Sequence, residues 1–460
     1  MSAHLPAGPA LAYGAATAAY QVEGSTTADG RGASIWDTFS ARPGTIVDGS
    51  DGSVACASYE RLDEDLDLVA GLGVGHYRFS LAWPRIQPTG AGQVEARGLA
   101  YYDRLVDGLL ARGVAPMATL YHWDLPQPLE DAGGWPVRGT AERFADYASI
   151  VHDHLGDRVK VWATLNEPWC SAYLGYAAGK HAPGRRDPAA AHRAAHHLML
   201  GHGLAASRLH EAGSDAVGVV LNLAPVWPER PEAEGAAHGV DAILNRVWLG
   251  PLVDGSYDSA LLALAPELGD PEVVRDGDLE VVHGSADWLG VNYYTPMRVD
   301  VGDDTETGGV GQDTSAYPGV DGLRFRPRPP VTAMGWEVEP RGLEELLVDV
   351  AARTGLPLVV TENGAAYADD VRAEDGSVAD DDRVTYLRGH IEAVERARTA
   401  GADVRAYIAW TLLDNFEWAE GYTKTFGLVE VDKTDQTRTP KASYHWFAQL
   451  AHADFLRIKV

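Results

Sequence analysis

The stretch Val161-Trp-Ala-Thr-Leu-Asn-Glu-Pro168 begins as a short apolar run and ends in two polar residues and a proline. A buried strand of a parallel sheet has this composition, because both of its faces pack against other elements. Polar side chains directly after such a strand, here Asn166 and Glu167, are typical of the active-site face of an α/β barrel. The stretch therefore predicts a buried strand over residues 161–165 with functional side chains at its end.

The same pattern recurs along the whole chain. The strand-like runs cover residues 11–16, 74–80, 115–121, 161–165, 217–223, 288–293, 358–361 and 406–411. Helical periodicity lies between them, for example at Leu62, Leu66, Val69 and Leu72, and over residues 341–354 and 382–400. Eight parallel strands that alternate with helices predict a closed (β/α)8 TIM barrel with the active site at the C-terminal face of its strands.

The length of 460 residues would also suit two or three domains. The sequence contains neither a linker nor an internal repeat, which favours one large barrel. We therefore predict a single domain that spans residues 1–460.

The composition restricts the class of partner. The chain has 38 Lys and Arg against 66 Asp and Glu, a net charge of −28, which would repel nucleic acid and anionic lipid. Cys56 and Cys170 are far apart and fit neither a disulfide framework nor a zinc motif, which favours a reducing compartment. We find neither a signal-like N-terminal segment nor an apolar run long enough to span a membrane, so we expect a cytoplasmic protein with a neutral small-molecule partner.

Polar and aromatic residues cluster at the ends of the predicted strands. One such residue at one strand is usually structural, but a similar set at most strands indicates a shared site. The set comprises Gln21, Glu23, Arg78, His122, Asp124, Asn166, Glu167, Asn292, Tyr294, Glu362, Asn363, Trp410, Glu417 and Trp418.

Three motifs resemble those of glycoside hydrolase family 1, the β-glucosidase family, and the resemblance extends over essentially the whole chain. They are the N-terminal signature Tyr13-Gly-Ala-Ala-Thr-Ala-Ala-Tyr-Gln-Val-Glu-Gly24, the acid/base motif Thr164-Leu-Asn-Glu-Pro168 and the nucleophile motif Thr361-Glu-Asn-Gly364. Leu11 departs from the family, which commonly has Phe there, and this exchange concerns packing only. The resemblance implies a retaining β-glycosidase that removes terminal β-D-glucosyl residues from oligosaccharides and from aryl and alkyl glycosides. Galactosyl and fucosyl substrates, and glycosyl transfer to an alcohol, stay open at this stage.

The resemblance also assigns roles to the catalytic residues. It implies that Glu167 is the general acid and base and that Glu362 is the nucleophile, in a double displacement with a glycosyl-enzyme intermediate. Arg78 and Tyr294 are the family's partners of the nucleophile. A cation and a phenol would keep Glu362 ionised, whereas Glu167 faces that charge with less support and should hold its proton longer.

The remaining site residues are expected to bind the sugar. By resemblance, Gln21 and Glu417 bind the hydroxyls furthest from the scissile bond, His122 and Trp418 the 3-hydroxyl and Asn166 the 2-hydroxyl. Trp410 is expected to stack against the sugar ring, Asn292 to orient the acid, and Phe426 to line the site. Outside this subsite, Trp336 resembles the family's aromatic platform for the leaving group, and the neighbours expected around it are Trp169, Cys170 and Leu174.

Two alternatives remain open from the sequence. A 6-phospho-β-glycosidase shares the fold and both glutamates, but its relatives usually have Ser at the position of Glu417 and Tyr at that of Phe426, around a lysine that corresponds to Lys424. A non-catalytic sugar-binding protein on the same fold would be expected to lack one of the glutamates. The resemblance implies neither a cofactor nor a metal. His192, His196, His197 and His202 lack the carboxylate pattern of a metal site and are expected to pack within a helix.

Overall fold

The eight strand-like runs predicted from the sequence coincide with buried strands in the structure. The computed structural model describes residues 5, 10–302, 312–374 and 376–458. The strands are β1 (Ala12–Ala16), β2 (His76–Ser80), β3 (Ala115–Tyr121), β4 (Val161–Asn166), β5 (Val217–Asn222), β6 (Val226–Pro228), β7 (Trp288–Asn292), β8 (Met297–Val301), β9 (Leu323–Phe325), β10 (Leu358–Asn363), β11 (Val404–Trp410), β12 (Val429–Val431) and β13 (Arg438–Pro440).

Eight of the strands in this described part are parallel and close a barrel in the order β1, β2, β3, β4, β5, β7, β10 and β11. This closed barrel confirms the predicted fold class. Its carboxyl ends lie at one face, and the register places Glu362 of β10 beside Asn292 of β7. The pairing also continues past the predicted end of the seventh barrel strand at residue 361, so that Glu362 and Asn363 are the last residues of β10.

The helices cover the outside of the barrel. Their bounds are α1 (Ala19–Val22), α2 (Ile35–Ser40), α3 (Leu62–Leu72), α4 (Trp83–Ile86), α5 (Ala96–Ala111), α6 (Gln127–Asp131), α7 (Arg138–Leu155), α8 (Pro188–Glu211), α9 (Glu234–Asp241), α10 (Val247–Leu249), α11 (Ser259–Leu264), α12 (Asp278–Val282), α13 (Pro340–Thr354), α14 (Asp381–Thr399) and α15 (Ala442–Ile458). Within the described ranges, a helix long and apolar enough to cross a bilayer is absent.

Helix α3 shows how the sequence determines these elements. Leu66, Val69 and Leu72 recur on one face and are buried, while acidic residues in the first turn interact favourably with the helix dipole. Gly73 follows the helix with φ 68°, a left-handed conformation that glycine adopts without strain and that ends the helix.

A small sheet lies beside the barrel and was not predicted from the sequence. Strand β6 pairs with β8 in parallel, and β8 pairs with β9 antiparallel. It follows β5 and β7 along the chain and begins close to the carboxyl face of the barrel. It contributes Met297 to the pocket that opens there.

Candidate active site

The ends of the barrel strands surround one pocket. This cavity of about 940 Å³, counted with its open mouth, contains both glutamates, Glu167 directly after β4 and Glu362 near the end of β10. The sequence-predicted residues that line it are His122, Glu167, Trp169, Cys170, Leu174, Asn292, Tyr294, Trp336, Glu362, Trp410, Glu417, Trp418 and Phe426. The pocket therefore brings together most of the predicted site.

Glu362 is held by two strong hydrogen-bond donors. The Arg78 guanidinium donates to Oε1 at 2.6 Å, and the Tyr294 hydroxyl donates to Oε2 at 2.7 Å. Burial raises the pKa of Glu362 above its ordinary value, and both donors oppose that rise because they stabilise the ionised form. A buried carboxylate with both oxygens fixed in this way is suited to nucleophilic attack.

Glu167 has weaker, neutral donors. The Asn292 amide donates to Oε1 at 2.7 Å and the Cys170 thiol to Oε2 at 3.2 Å. Burial, followed by the negative charge of Glu362, raises the pKa of Glu167 to about 8. Glu167 therefore carries a proton at neutral pH, as a general acid must.

Asn292 interacts with both carboxyl groups. Its amide donates to Glu167 at 2.7 Å, and the same side chain lowers the pKa of Glu362. One amide side chain therefore influences both carboxyl groups, which face the same pocket.

Asn166 lies behind the pocket and connects its parts. The side-chain oxygen Oδ1 of Asn166 accepts hydrogen bonds from the Arg78 guanidinium at 2.7 Å and from the Asn292 amide at 3.0 Å. Its amide donates to Nε2 of His122 at 3.0 Å. Because Nε2 of His122 accepts a hydrogen bond, the ring proton lies on Nδ1, and burial keeps the pKa of this imidazole well below its usual value. His122 therefore offers the pocket a neutral hydrogen-bond donor at Nδ1.

Glu417 lines the pocket, and Gln21 lies directly behind it. The Gln21 amide donates to Glu417 at 3.4 Å and to the backbone oxygen of Phe416 at 2.9 Å. Burial, with the charges of Glu362 and Glu167, raises the pKa of Glu417 to about 8. A protonated Glu417 can both donate to and accept from sugar hydroxyls, and Oε1 of Gln21 is a buried acceptor without a partner in the structure.

Aromatic rings form one wall of the pocket. The His122 ring stacks on Trp410 and on Trp418 with centroids 5.8 Å apart in each case. Trp123 contacts Trp418 at 4.4 Å, and its indole donates to the backbone oxygen of Asn166 at 2.9 Å. Trp123, Trp418 and Glu167 all have a positive φ, a strained conformation that in proteins concentrates at functional sites.

The entrance to the pocket is lined mainly by apolar side chains. Trp336 packs against Tyr294 and Phe426 with ring centroids 5.3 and 6.1 Å apart. Residues 170–177 form a π-helical segment that places Cys170 and Leu174 in the pocket wall.

Some residues at the strand ends face away from the cavity. Glu23 accepts hydrogen bonds from Arg85 at 2.9 Å and from Tyr102 at 2.7 Å and has a structural role. Asp124 is fully buried outside the pocket lining. Gln21, Arg78 and Asn166 lie directly behind the lining, and each bonds to a residue within it.

Several lining residues were not identified from the sequence. Trp123 follows His122 and had the same positional signal, so an aromatic residue next to a polar strand end could have indicated it. The others include Asn222 at the end of β5 and Met297 at the start of β8, together with residues outside the barrel strands, namely Leu244, Gln312, Tyr317 and Met334.

The histidines of α8 have protein partners. His192 contacts Glu267 at 2.7 Å, and His196 contacts Asp278 at 3.1 Å. His197 bonds to the backbone oxygen of Trp135, and His202 bonds to Thr164. Among the residues that the structure describes, His, Cys, Asp and Glu side chains form no group of three or more suited to hold a metal.

Comparisons with known proteins agree with this geometry. The sequence model described as glycosyl hydrolase family 1 matches residues 3–455. The chain is 46% identical over 449 residues to the thermostable β-glucosidase B of Thermobispora bispora, covering 97% of this chain and 90% of that protein. It is 47% identical over 446 residues to the bifunctional β-D-glucosidase/β-D-fucosidase of Bifidobacterium breve, covering 95% of this chain and 96% of that protein.

Solved structures give the same result. A psychrophilic β-glucosidase from Micrococcus antarcticus superposes with a TM-score of 0.92 at 45% identity, covering 96% of this chain and 97% of that one. A β-glucosidase from Thermotoga maritima in complex with azafagomine superposes with a TM-score of 0.90 at 40% identity, covering 98% and 99% of the two chains.

Proposed function

The chain belongs to glycosyl hydrolase family 1, and we propose that it is a retaining β-glucosidase with Glu362 as nucleophile and Glu167 as general acid and base. The observation that carries this proposal is the contrast between two buried carboxyl groups that face one pocket. Glu362 is bound by a cation and a phenol. Glu167 has only an amide and a thiol as donors, and burial raises its pKa to about 8.

The first half-reaction forms the glycosyl-enzyme. The Glu362 carboxylate attacks the anomeric carbon while the Glu167 carboxylic acid gives its proton to the glycosidic oxygen, so that the C–O bond breaks and the alcohol leaves. Arg78 and Tyr294 keep the attacking oxygens in place. Because the nucleophile and the acid act from opposite sides of the sugar, the intermediate is an α-linked ester.

The second half-reaction needs Glu167 as a base. Once Glu362 is an ester, it no longer carries the charge that helped to raise the pKa of Glu167. The pKa of Glu167 should therefore fall in the intermediate, so that its carboxylate can take a proton from water. The hydroxide attacks the anomeric carbon, the ester bond to Glu362 breaks, and β-glucose leaves with retained configuration.

The inner pocket suits a neutral hexose. Gln21, through its Oε1 atom, and the side chains of His122 and Glu417 offer donors and acceptors for its hydroxyls. We assign Asn166, which shares the Arg78 guanidinium with the nucleophile, to the 2-hydroxyl. The ring of Trp410 supplies an apolar face for the C–H side of the sugar.

The leaving group is placed at the entrance. Trp336 stands in the pocket wall beside Tyr294 and offers a flat surface on which an aryl group or a second sugar can stack. We assign Trp169, Cys170 and Leu174 to the opposite part of this entrance.

A 6-phosphoglucoside suits the pocket poorly. Glu420 lines the cavity, and its carboxylate would repel a phosphate dianion. The Lys424 ammonium already bonds to the backbone oxygen of Ala333 at 3.0 Å and lies 3.8 Å from Glu420. A non-catalytic role is also disfavoured, because both carboxyl groups are present and each has hydrogen-bond donors that suit its proposed role.

Two wider expectations belong to the proposal. We treat residues 1–460 as one (β/α)8 glycosidase domain. We also expect a cytoplasmic enzyme, because Cys56 and Cys170 are free and buried, which suits a reducing compartment.

A panel of nitrophenyl glycosides tests the proposal. The β-glucoside should be the best or nearly the best substrate, with β-fucoside and β-galactoside as competitors and α-glucoside as a control that should not react. Trapping with methanol should give methyl β-glucoside, which reports retention. An α-product, or cleavage of only the 6-phosphorylated sugar, would contradict the proposed function.

A further inference from the structure

A hairpin carries Trp336 over the pocket. We call residues 328–338 the platform hairpin. Its arms are joined by backbone hydrogen bonds from Thr332 to Trp336 at 2.8 Å and from Val338 to Pro330 at 2.9 Å. Within it, Met334 and Trp336 line the cavity. The hairpin therefore supplies much of the apolar surface at the leaving-group side.

A buried ion pair lies on the other side of the same hairpin. Glu337, only 3% exposed, accepts three hydrogen bonds from Arg298: two from Nε at 2.7 and 3.0 Å, and one from Nη2 at 2.8 Å. It also accepts from the backbone nitrogen of Arg328 at 2.9 Å. Each oxygen of Glu337 is thus fixed, and its carboxylate joins both ends of the platform hairpin to strand β8.

The alternation of side chains in extended backbone relates this pair to the pocket. Neighbouring residues of an extended segment point to opposite sides. Trp336 and Met297 face the cavity, while the next residue of each segment, Glu337 and Arg298, takes part in the ion pair. The pair therefore lies behind the two pocket residues and joins the segments that carry them.

Arg298 is itself anchored from further sides. Its guanidinium lies over the Trp227 ring of β6 at 4.7 Å, and its backbone oxygen accepts from Arg326 at 3.0 Å. Glu229 lies 3.8 Å from Arg298 and also pairs with Arg328 of the hairpin at 2.8 Å. One arginine thus links β6, β8 and the platform hairpin.

We propose that the Arg298–Glu337 ion pair is the positioning element of the leaving-group site: it fixes Trp336 and Met297 and so sets selectivity for the leaving group without touching the glucosyl unit. The inference rests on the proposed function, in particular on Trp336 as the platform. The sugar subsite is built from other segments and should not respond to this pair. The step that hydrolyses the glycosyl-enzyme takes place after the leaving group has gone and should not respond either.

The test compares substrates that share the glucosyl unit and differ in the leaving group. For Glu337→Gln we expect kcat/KM for cellobiose and for naphthyl β-glucoside to fall about tenfold, since displacement of a positioning group by less than 1 Å has effects of this order. For methyl β-glucoside, which does not reach Trp336, the change should stay below about twofold. With dinitrophenyl β-glucoside, where breakdown of the intermediate limits turnover, kcat should be unchanged.

Two controls separate a positioning role from loss of structure. Glu430→Gln changes a bidentate pair of similar geometry but greater exposure, Arg372–Glu430 with contacts of 2.6 and 2.7 Å, that lies outside the pocket, and it should leave kcat/KM for every substrate unchanged. Arg298→Lys keeps the positive charge and should therefore retain part of the selectivity for the leaving group. If Glu337→Gln does not fold, as judged by thermal melting, Arg298→Lys is scored by the same substrate comparison. Failure of both variants to fold would overturn the proposal and make the pair a folding element only.

Trp336→Ala distinguishes this inference from the proposed function. If Trp336→Ala shows no loss that depends on the leaving group, the platform assignment itself is wrong. If Trp336→Ala shows that loss but Glu337→Gln lowers kcat/KM equally for all substrates, only the positioning proposal is overturned. In the double variant Trp336→Ala/Glu337→Gln, the second change should add little for naphthyl β-glucoside, because it acts through the missing ring, and a fully multiplicative effect would contradict the proposal.

Discussion

The two proposed catalytic glutamates should fail in different ways when each is shortened to alanine. With a pKa raised to about 8, Glu167 is mainly protonated at pH 7, and Glu167→Ala removes this acid. General acid catalysis contributes about 10²- to 10⁴-fold, so kcat/KM for methyl β-glucoside should fall by that factor. Dinitrophenolate leaves without a proton, so kcat/KM for its β-glucoside should fall less than about tenfold.

Glu362→Ala removes the atom that bonds to the sugar. Its activity should fall on the order of 10⁶-fold for every leaving group, the scale seen when another hydrolase loses its nucleophile. The contrast between a loss that depends on the leaving group and one that does not can be read from a series of substituted phenyl glucosides. Only Glu167→Ala should show a rapid burst of phenol followed by a slow phase, because it forms the intermediate and then lacks the base.

Azide provides the stereochemical test. In Glu167→Ala the vacated space lies between the Asn292 amide and the Cys170 thiol, and azide placed there attacks the intermediate without a base to give β-glucosyl azide. In Glu362→Ala azide enters on the opposite face and should give the α-product. Product configuration is read from the coupling constant of the anomeric proton, and Glu430→Ala serves as a surface control. If the two configurations are exchanged, the roles of the glutamates are reversed.

Three further outcomes follow from the geometry. The value of kcat/KM should fall as the pH rises through about 8, since Glu167 then loses its proton, and a rate that stays constant to pH 10 would contradict this assignment. Tyr294→Phe removes a donor to ionised Glu362, so the pKa of Glu362 rises and the acid limb of the kcat/KM profile should move to higher pH; an unmoved limb would count against the contact. Nitrophenyl β-glucoside 6-phosphate should be cleaved about 10²-fold less efficiently than the unphosphorylated sugar, because the Glu420 carboxylate repels the phosphate and Lys424 is already bonded elsewhere, and equal kcat/KM values would refute this interpretation.

The fold was predictable because the signal is local. Each barrel strand is a short apolar run, and its burial on both faces follows from composition alone, as in the fully buried strand Ala115–Tyr121. The order of strands follows from the rule that a strand, a helix and the next strand connect in parallel. The strand ends were less certain by one or two residues, because they depend on hydrogen bonds to neighbouring strands such as those that extend β10 to Asn363.

The connections within the site were not predictable in the same way. Motifs identified Glu167 and Glu362, and its place at a strand end identified Asn292, but neither showed that the Asn292 amide contacts one carboxyl group and influences the other. That arrangement depends on the register between β7 and β10, which are separated by 65 residues that include strands β8 and β9 and helix α13. The thiol of Cys170 next to Glu167 likewise results from the π-helical turn after β4.

The entrance was the least predictable part for a physical reason. Gln312 and Tyr317 come from a long segment after β8 that contains neither hydrophobic periodicity nor a family motif. The Arg298–Glu337 pair is also hidden in the sequence, because an ion pair between distant residues leaves no local pattern. Residues 303–311 of this segment lie outside the part that the structure describes.

The electrostatics of the pocket connect binding with catalysis. Glu167, Glu362 and Glu417 are buried in one cavity, where the charge of Glu362 raises the pKa of both Glu167 and Glu417, and Arg78 donates a hydrogen bond to Glu362. Three negative charges in one buried cavity would have a high electrostatic free energy, so near neutral pH the pocket favours one ionised carboxyl group and two protonated ones. The carboxylate that keeps its charge is the one beside Arg78. The two retained protons have different uses, since that of Glu167 goes to the leaving group and that of Glu417 can be donated to a sugar hydroxyl. Because the three groups are coupled, an ester on Glu362 should lower the pKa of Glu417 as well as that of Glu167, so the contacts to the far hydroxyls should change between the two half-reactions.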